Sequence, residues 1–295
     1  MTGPGPHLGS AADAALADLR HPPNHAASST GGRAVTSSDL SVDEDILVRE
    51  AGFEALGLVS GAAVFHIGMV GMMQGMGNAE LSSLSQAMYQ ARESAVGRLV
   101  AAGERLGGTG VVGVRLDIEM FEHRSHLAQF VAFGTAIADR DPKRAAGAPF
   151  FTSDLSGQDL YLLNRAGYRP VGLVMGSCVY HVARQGFGRW ASGQTQNQEM
   201  TTYTEALYEA RELAMGRLQD EAIRVGADGV VGVQTSERSH VWGSHVIEFF
   251  TLGTGVRLTS DQHRRIDPRP VVPLDDPVVA TDPGAVIGSG AVSGD

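Results

Sequence analysis

Residues 91–114 read ARESAVGRLVAAGERLGGTGVVGV and residues 210–233 read ARELAMGRLQDEAIRVGADGVVGV, so one design is written twice. In each copy apolar residues recur at helical spacing up to a glycine cluster, and a valine-rich run follows at once. Gly107 and Gly226 stand where a left-handed cap would end the helix. The pattern predicts, twice over, a helix that stops abruptly and feeds a strand.

Working outward, SDLSVDEDILVREAGFEALGLVSG from Ser38 matches SDLSGQDLYLLNRAGYRPVGLVMG from Ser153, and the match continues through His66 and His181. Ser41 and Ser156 each precede an acid by three residues (Glu44, Asp159), which is a capping box or a near relative of one. Gly52 and Gly167 then close a short helix. Residues 57–67 and 172–182 are rich in Val and Ala, punctuated by glycine and too short for a helix, so they are predicted as strands. The copies diverge next: HIGMVGMMQGMGNAE in the first stands against HVARQGFGRWASGQTQNQE in the second, a difference confined to one place that marks a loop. Helices are predicted over 80–106 and 199–225, with Met88, Ala91, Ala95 and Leu99 forming one buried stripe and Tyr203, Leu207, Ala210, Ala214 and Leu218 the other. Gly97 and Gly216 interrupt them at a cost of about 1 kcal/mol each relative to Ala, which predicts close packing of another backbone there. Strands follow at 111–119 and 230–237, then at 127–137 and 246–256, each pair closing as a hairpin.

Each repeat therefore runs α-β-α-β-β, and the fold class is α+β. The predicted organisation is a disordered tail over 1–37, a first repeat over 38–138, a linker over 139–152, a second repeat over 153–258 and a disordered acidic tail over 259–295. A sheet of about three strands is marginal alone. The repeats are expected to pack on each other, and their unpaired edges to recruit further chains into a homo-oligomer.

Composition narrows the function classes. Among 295 residues, 23 Lys and Arg face 33 Asp and Glu, a formal charge of -10 that argues against nucleic acid as a partner. The single cysteine, Cys178, rules out an internal disulfide framework and a cysteine-based zinc cluster. A reducing cytoplasm is the expected location. No run is apolar and long enough to predict a transmembrane segment or a secretion signal.

The ordered blocks also resemble a known family. Val59 to Gly61, Ala91 to Leu99, Leu106 to Val114 and Gly134 to Ala136, with their counterparts Val174 to Gly176, Ala210 to Leu218, Val225 to Val233 and Gly253 to Gly255, are similar to the YbjQ-like domains, which carry a heavy-metal-binding label. The resemblance implies a dodecin-like β-α-β-β unit behind each short helix, and assembly into rings. Two features depart from it: His66 and His181 stand where such domains carry a glycine, and the SDLS helix replaces their extended N-terminal segment.

Candidate chemistry is sparse. His66 and His181 are equivalent, as are His126 and His245; with Asp117 or Glu119 they would suit a divalent transition metal if strands bring them together. The alternative is hydrogen-bonded histidines at strand ends. Met69, Met72, Met73 and Met76 fall at helical spacing and offer either thioether ligands or an apolar patch for a partner or lipid; the second loop has Phe187 and Trp190 and no methionine, which favours an apolar contact over metal ligation. The glycines around 107–113 follow a helix and precede a strand, the reverse of a phosphate loop. Arg92-Glu93 and Arg211-Glu212 recur as a charge pair whose expected role is helix packing. Cys178 has no counterpart, since Ala63 occupies its place, and no nucleophile signature surrounds it. The sequence thus predicts a non-enzymatic, ring-like oligomeric scaffold whose divergent loops meet a partner, with metal or small-ligand handling through the histidines as the alternative.

Overall fold

The computed structural model describes residues 36–66, 78–120, 127–182, 201–239 and 246–260. In chain order the elements are α1 (Val42–Glu50), β1 (Phe53–His66), β2 (Ala79–Glu80), α2 (Ser82–Arg105), β3 (Gly110–Met120), β4 (Leu127–Asp139), α3 (Pro142–Gly147), β5 (Phe151–Thr152), α4 (Gly157–Arg165), β6 (Tyr168–His181), α5 (Thr201–Arg224), β7 (Gly229–Ser239) and β8 (Val246–Leu258). The predicted α-β-α-β-β order is present in both repeats.

The short helices start as their serines dictate. Ser41 Oγ accepts from Glu44 N at 3.2 Å, and the Glu44 carboxylate accepts from Ser41 N at 2.8 Å. Those bonds hold the Glu44 carboxyl below the ordinary carboxylate value. In the second repeat, Ser156 Oγ accepts from Asp159 N at 3.1 Å and donates to the Asp159 carboxylate at 2.8 Å. Both helices end at a glycine in the left-handed region, Gly52 at φ 91° and Gly167 at φ 83°.

Two four-stranded sheets result, ordered β1-β4-β3-β5 and β2-β6-β8-β7. Each takes three antiparallel strands from its own repeat and a fourth from elsewhere. β5, inside the predicted linker, lies parallel to β3, with Phe151 opposite Gly110. β2, from the first repeat, lies antiparallel to β6, with Glu80 opposite Tyr180. Glu80 therefore sits in a strand and not in the helix predicted over 80–106, because its pairing partner lies in the other repeat and leaves no local trace.

The packing is layered as sheet, helix, sheet, helix. α2 packs on β1 and β4 of its own sheet and also on β6 of the second. One core accordingly joins Met88, Ala91, Ala95 and Leu99 to Val59, Phe130, Met175, Val179 and Phe250. α5 covers the opposite face of the second sheet through Ala206, Ala210 and Ala214 against Cys178, Tyr180 and Ile247. Among the described residues no helix covers the outer face of the first sheet, and Leu58 and Val64 there remain 48% and 55% exposed.

The close backbone approach expected at Gly97 and Gly216 lies elsewhere. A Cβ at either would meet nothing within 4 Å. The helices instead cross their sheets over strand glycines: a Cβ at Gly61 would strike Ala95 O and Leu99 N, and one at Gly176 would strike Ala214 O and Leu218 N. Spacing along a helix does not tell which face its glycine turns to, and these turn away from the sheet. Gly61→Ala and Gly176→Ala are expected to lower stability by at least about 2 kcal/mol each through overpacking, whereas Gly97→Ala raises it by about 0.5–1 kcal/mol; urea unfolding of the three variants checks the contrast.

Candidate functional site

The most elaborate chemistry lies where the two repeats meet. Arg92 projects from α2 into the second sheet, where its Nη1 stands 2.7 Å from Glu248 Oε1 of β8, both side chains at most 2% exposed. Ser177 of β6 completes the cluster: Arg92 Nη1 donates to its Oγ at 3.3 Å, and that hydroxyl donates to Glu248 Oε1 at 3.0 Å. The guanidinium lies over the Phe250 ring at 4.0 Å and near Phe130 at 5.5 Å. A charge pair this deeply buried costs desolvation that a well-packed apolar pair would not, and its removal from one side only leaves the other charge stranded. Such an arrangement specifies which surfaces meet rather than adding much net stability.

Further contacts lock the same joint. Arg217 of α5 donates to both carboxylate oxygens of Glu80, at 2.6 and 2.9 Å, and to Ser177 O at 2.6 Å. Burial pushes the Glu80 carboxyl up, but the hydrogen bonds and charge of Arg217 outweigh it and leave the group below its ordinary value. Arg98, the counterpart of Arg217, bonds Ala62 O in the first repeat in the same way. Tyr89 OH donates to Glu221 Oε1 at 2.9 Å, while Glu221 Oε2 accepts from Met175 N at 2.7 Å. Burial raises the Tyr89 hydroxyl to about 12 and raises the Glu221 carboxyl as well. On the other side of the joint, the segment from β5 follows the β3 edge: Ser153 N donates to Val111 O at 2.9 Å and Gly113 N to Leu155 O at 3.0 Å. Asp154, raised by burial, accepts from Thr254 Oγ1 at 2.5 Å.

The predicted ligand residues are placed as follows. His66 and His181 end β1 and β6, opposite Leu127 and Val246. His126 and His245 lie outside the described residues, as do Met69, Met72, Met73, Met76, Phe187 and Trp190. Among the described residues no three of His, Cys, Asp and Glu gather as a metal site. Cys178 is buried, and burial raises its thiol to about 12, far from a reactive thiolate. Arg92 does serve helix packing, but its acid comes from the other repeat, not from a neighbour in sequence. The sequence singles out neither Glu248 nor Glu80 as a functional residue, and it places Glu80 at the start of a helix. The signal for Glu248 was available: it is an acid within the apolar run Val246 to Leu252, at the position held by Gln129 in the first repeat.

This architecture agrees with comparison to known proteins. The YbjQ family, described as "Putative heavy-metal-binding", matches residues 46–140 and again 168–259, together more than half of the chain. The chain belongs to the YbjQ family. Each match to that family covers one helix-plus-sheet unit, so the protein is a tandem of two YbjQ domains. It is 43% identical over 244 residues, 81% of this chain and 92% of the relative, to the encapsulin nanocompartment protein Rv1762c of Mycobacterium tuberculosis. Shorter YbjQ relatives align with about a third of it: a UPF0145 protein of Methanococcus maripaludis is 38% identical over 32% of this chain and 81% of its own length. One of Thermosipho africanus is 37% identical over 32% and 89%.

The joint predicts two measurable effects. Arg92→Ala should cost about 3–5 kcal/mol in urea unfolding by taking the guanidinium away from the buried Glu248 carboxylate, and Arg92→Met with Glu248→Met should recover most of that loss. Because the folded-state pKa of Glu221 is raised, its contribution to stability is fully present below its unfolded pKa and is lost as pH rises through the folded value. Melting temperature should therefore fall from about pH 4.5 upward through this group, and Glu221→Gln should flatten that part of the profile.

Proposed function

We propose that this tandem YbjQ protein is a non-enzymatic assembly protein that works within a protein nanocompartment. Copies associate through the two repeats into a closed, ring-like oligomer, and the divergent loops around 68–78 and 183–198 contact a partner protein. The observation that carries the reading is the uncovered outer face of the first sheet, where Leu58 and Val64 stay half exposed on an otherwise layered molecule. The name of the Mycobacterium tuberculosis relative, aligned over 92% of that protein, supports placing the assembly in an encapsulin system. Burial, which pushes the Cys178 thiol up to about 12, supports a structural role for this residue over a catalytic one. No helix among the described residues is long and apolar enough to cross a membrane, in keeping with a protein that acts inside the cell.

Untagged protein at micromolar concentration should elute as a defined oligomer in size-exclusion chromatography with light scattering; a plain monomer removes the assembly reading. Co-expressed with an encapsulin shell protein, the chain should sediment with the shells on a density gradient. A chain that stays at the top of the gradient while the shells sediment removes the compartment half of the reading.

A further inference from the structure

The two repeats share a plan but not an environment. In the second sheet the face that meets α2 is closed: Leu173 is 7%, Met175 3%, Ser177 2% and Val179 0% exposed. Their counterparts on β1 are Leu58, Ser60, Ala62 and Val64, all exposed. Arg92 on α2 is buried, whereas its counterpart on α5, Arg211, is exposed, and Tyr208 beside it is 66% exposed. The strand edges follow the same rule. Val111, Val112 and Val114 of β3 are at most 2% exposed beneath the segment leading from β5, while their counterparts on β7 are less covered, Val230 and Val231 half-buried and Val233 42% exposed.

These open surfaces fall into complementary halves. Within the chain, the helix of the earlier repeat seats on the sheet of the later one, and the lead segment of the later repeat pairs with the strand edge of the earlier one. Among the described residues, the surfaces lacking such partners are the α5 face and the β7 edge, both of the second repeat, and the first-sheet face and the lead segment around Ser38 to Leu40, both of the first. Laid end to end, two copies supply each half with its missing match.

The geometry points to a specific joint between two copies of this chain: α5 of one copy seats on the outer face of the first sheet of the next, as α2 seats on the second sheet, while Ser38 to Leu40 of that next copy runs along β7 of the former. This rests on the assembly reading above and names its surfaces. The contact is heterologous, so it uses different patches on the two partners and repeats along a ring. The two kinds of joint differ in one respect. Where Arg92 meets Glu248 and Phe250 inside the chain, Arg211 meets Gln129 and Val131, the residues at the equivalent positions of β4. The internal joint holds a buried charge pair and the external one holds an arginine against a neutral amide. That difference keeps α2 on the second sheet, keeps α5 for the neighbour, and makes the external joint the weaker and reversible one.

Inside the chain, Ser85 Oγ of α2 accepts from Val179 N at 2.8 Å. The external counterparts of these residues are Thr204 and Val64. A chain carrying both Thr204→Cys and Val64→Cys, treated with a short bis-maleimide, should give a ladder of covalent dimers, trimers and higher species on a denaturing gel. Each single variant should give none, and the buried Cys178 serves as the silent background. Dimers from Val64→Cys alone would overturn the proposal in favour of two sheet faces meeting. Protein that is oligomeric by light scattering yet yields no ladder would overturn this joint and leave the assembly reading standing, with another chain, a shell protein included, on that face. A monomeric wild type would remove both. As a second measurement, Gln129→Glu should lower the concentration at which the oligomer dissociates by tenfold or more, and this gain should vanish in the Arg211→Ala background; an equal gain without Arg211 would overturn the assignment.

Discussion

A buried charge pair decides how this chain is put together. Arg92 and Glu248 belong to different repeats, and the ion pair between them runs from one domain to the other. An arginine seated between the Phe250 ring, Ser177 and a carboxylate has little freedom to slide, so α2 is fixed in register over β6 and β8. Around that point the remaining contacts are mutually consistent: Glu80 reaches Arg217, Tyr89 reaches Glu221, and β2 completes the sheet of the other repeat. The two repeats are in this sense not two beads on a linker. Each finishes the other.

The helix-over-glycine crossing supplies the second constraint. With no Cβ at Gly61 and Gly176, the helices approach their sheets closely enough to fill the interior with alanines, Ala91 and Ala95 in one repeat and Ala210 and Ala214 in the other. Such thin layers allow four of them to stack in a short chain. They also leave the outermost sheet face uncovered, because a stack of alternating sheets and helices has one sheet end and one helix end. The apolar exposure at Leu58 and Val64 follows from the topology and not from a local irregularity.

Much of this was legible in the sequence for a physical reason: caps, turns and amphipathic stripes are local. Ser41 with Glu44, Gly52, Gly107 and the valine runs encode their own surroundings, and the repetition doubled each signal. What was not legible was non-local. The partner of Arg92 lies near the far end of the chain, and the strand pairing of Glu80 depends on an edge that a different repeat provides. The glycines on the helices, Gly97 and Gly216, attracted the close-packing expectation that belonged to Gly61 and Gly176, because a helical glycine carries no mark of its orientation. The comparison of the repeats did carry one usable clue, a glutamate in β8 against a glutamine in β4. Of the ligand candidates, His66 and His181 end their strands without joining a cluster of three ligand residues among the described residues, and His126, His245 and the methionines lie outside them.

The position of Glu248 has a consequence for the order of events on the ribosome. The first repeat is made long before β8, so α2 emerges with its arginine unpaired and with the face that will meet the second sheet still wet. A nascent chain at that stage lacks the second sheet on which α2 comes to rest. Only when the final strand leaves the exit tunnel can the guanidinium be neutralised and the core close. Translation thus withholds the finished surface until nearly the whole polypeptide exists, a built-in delay between synthesis and any self-association.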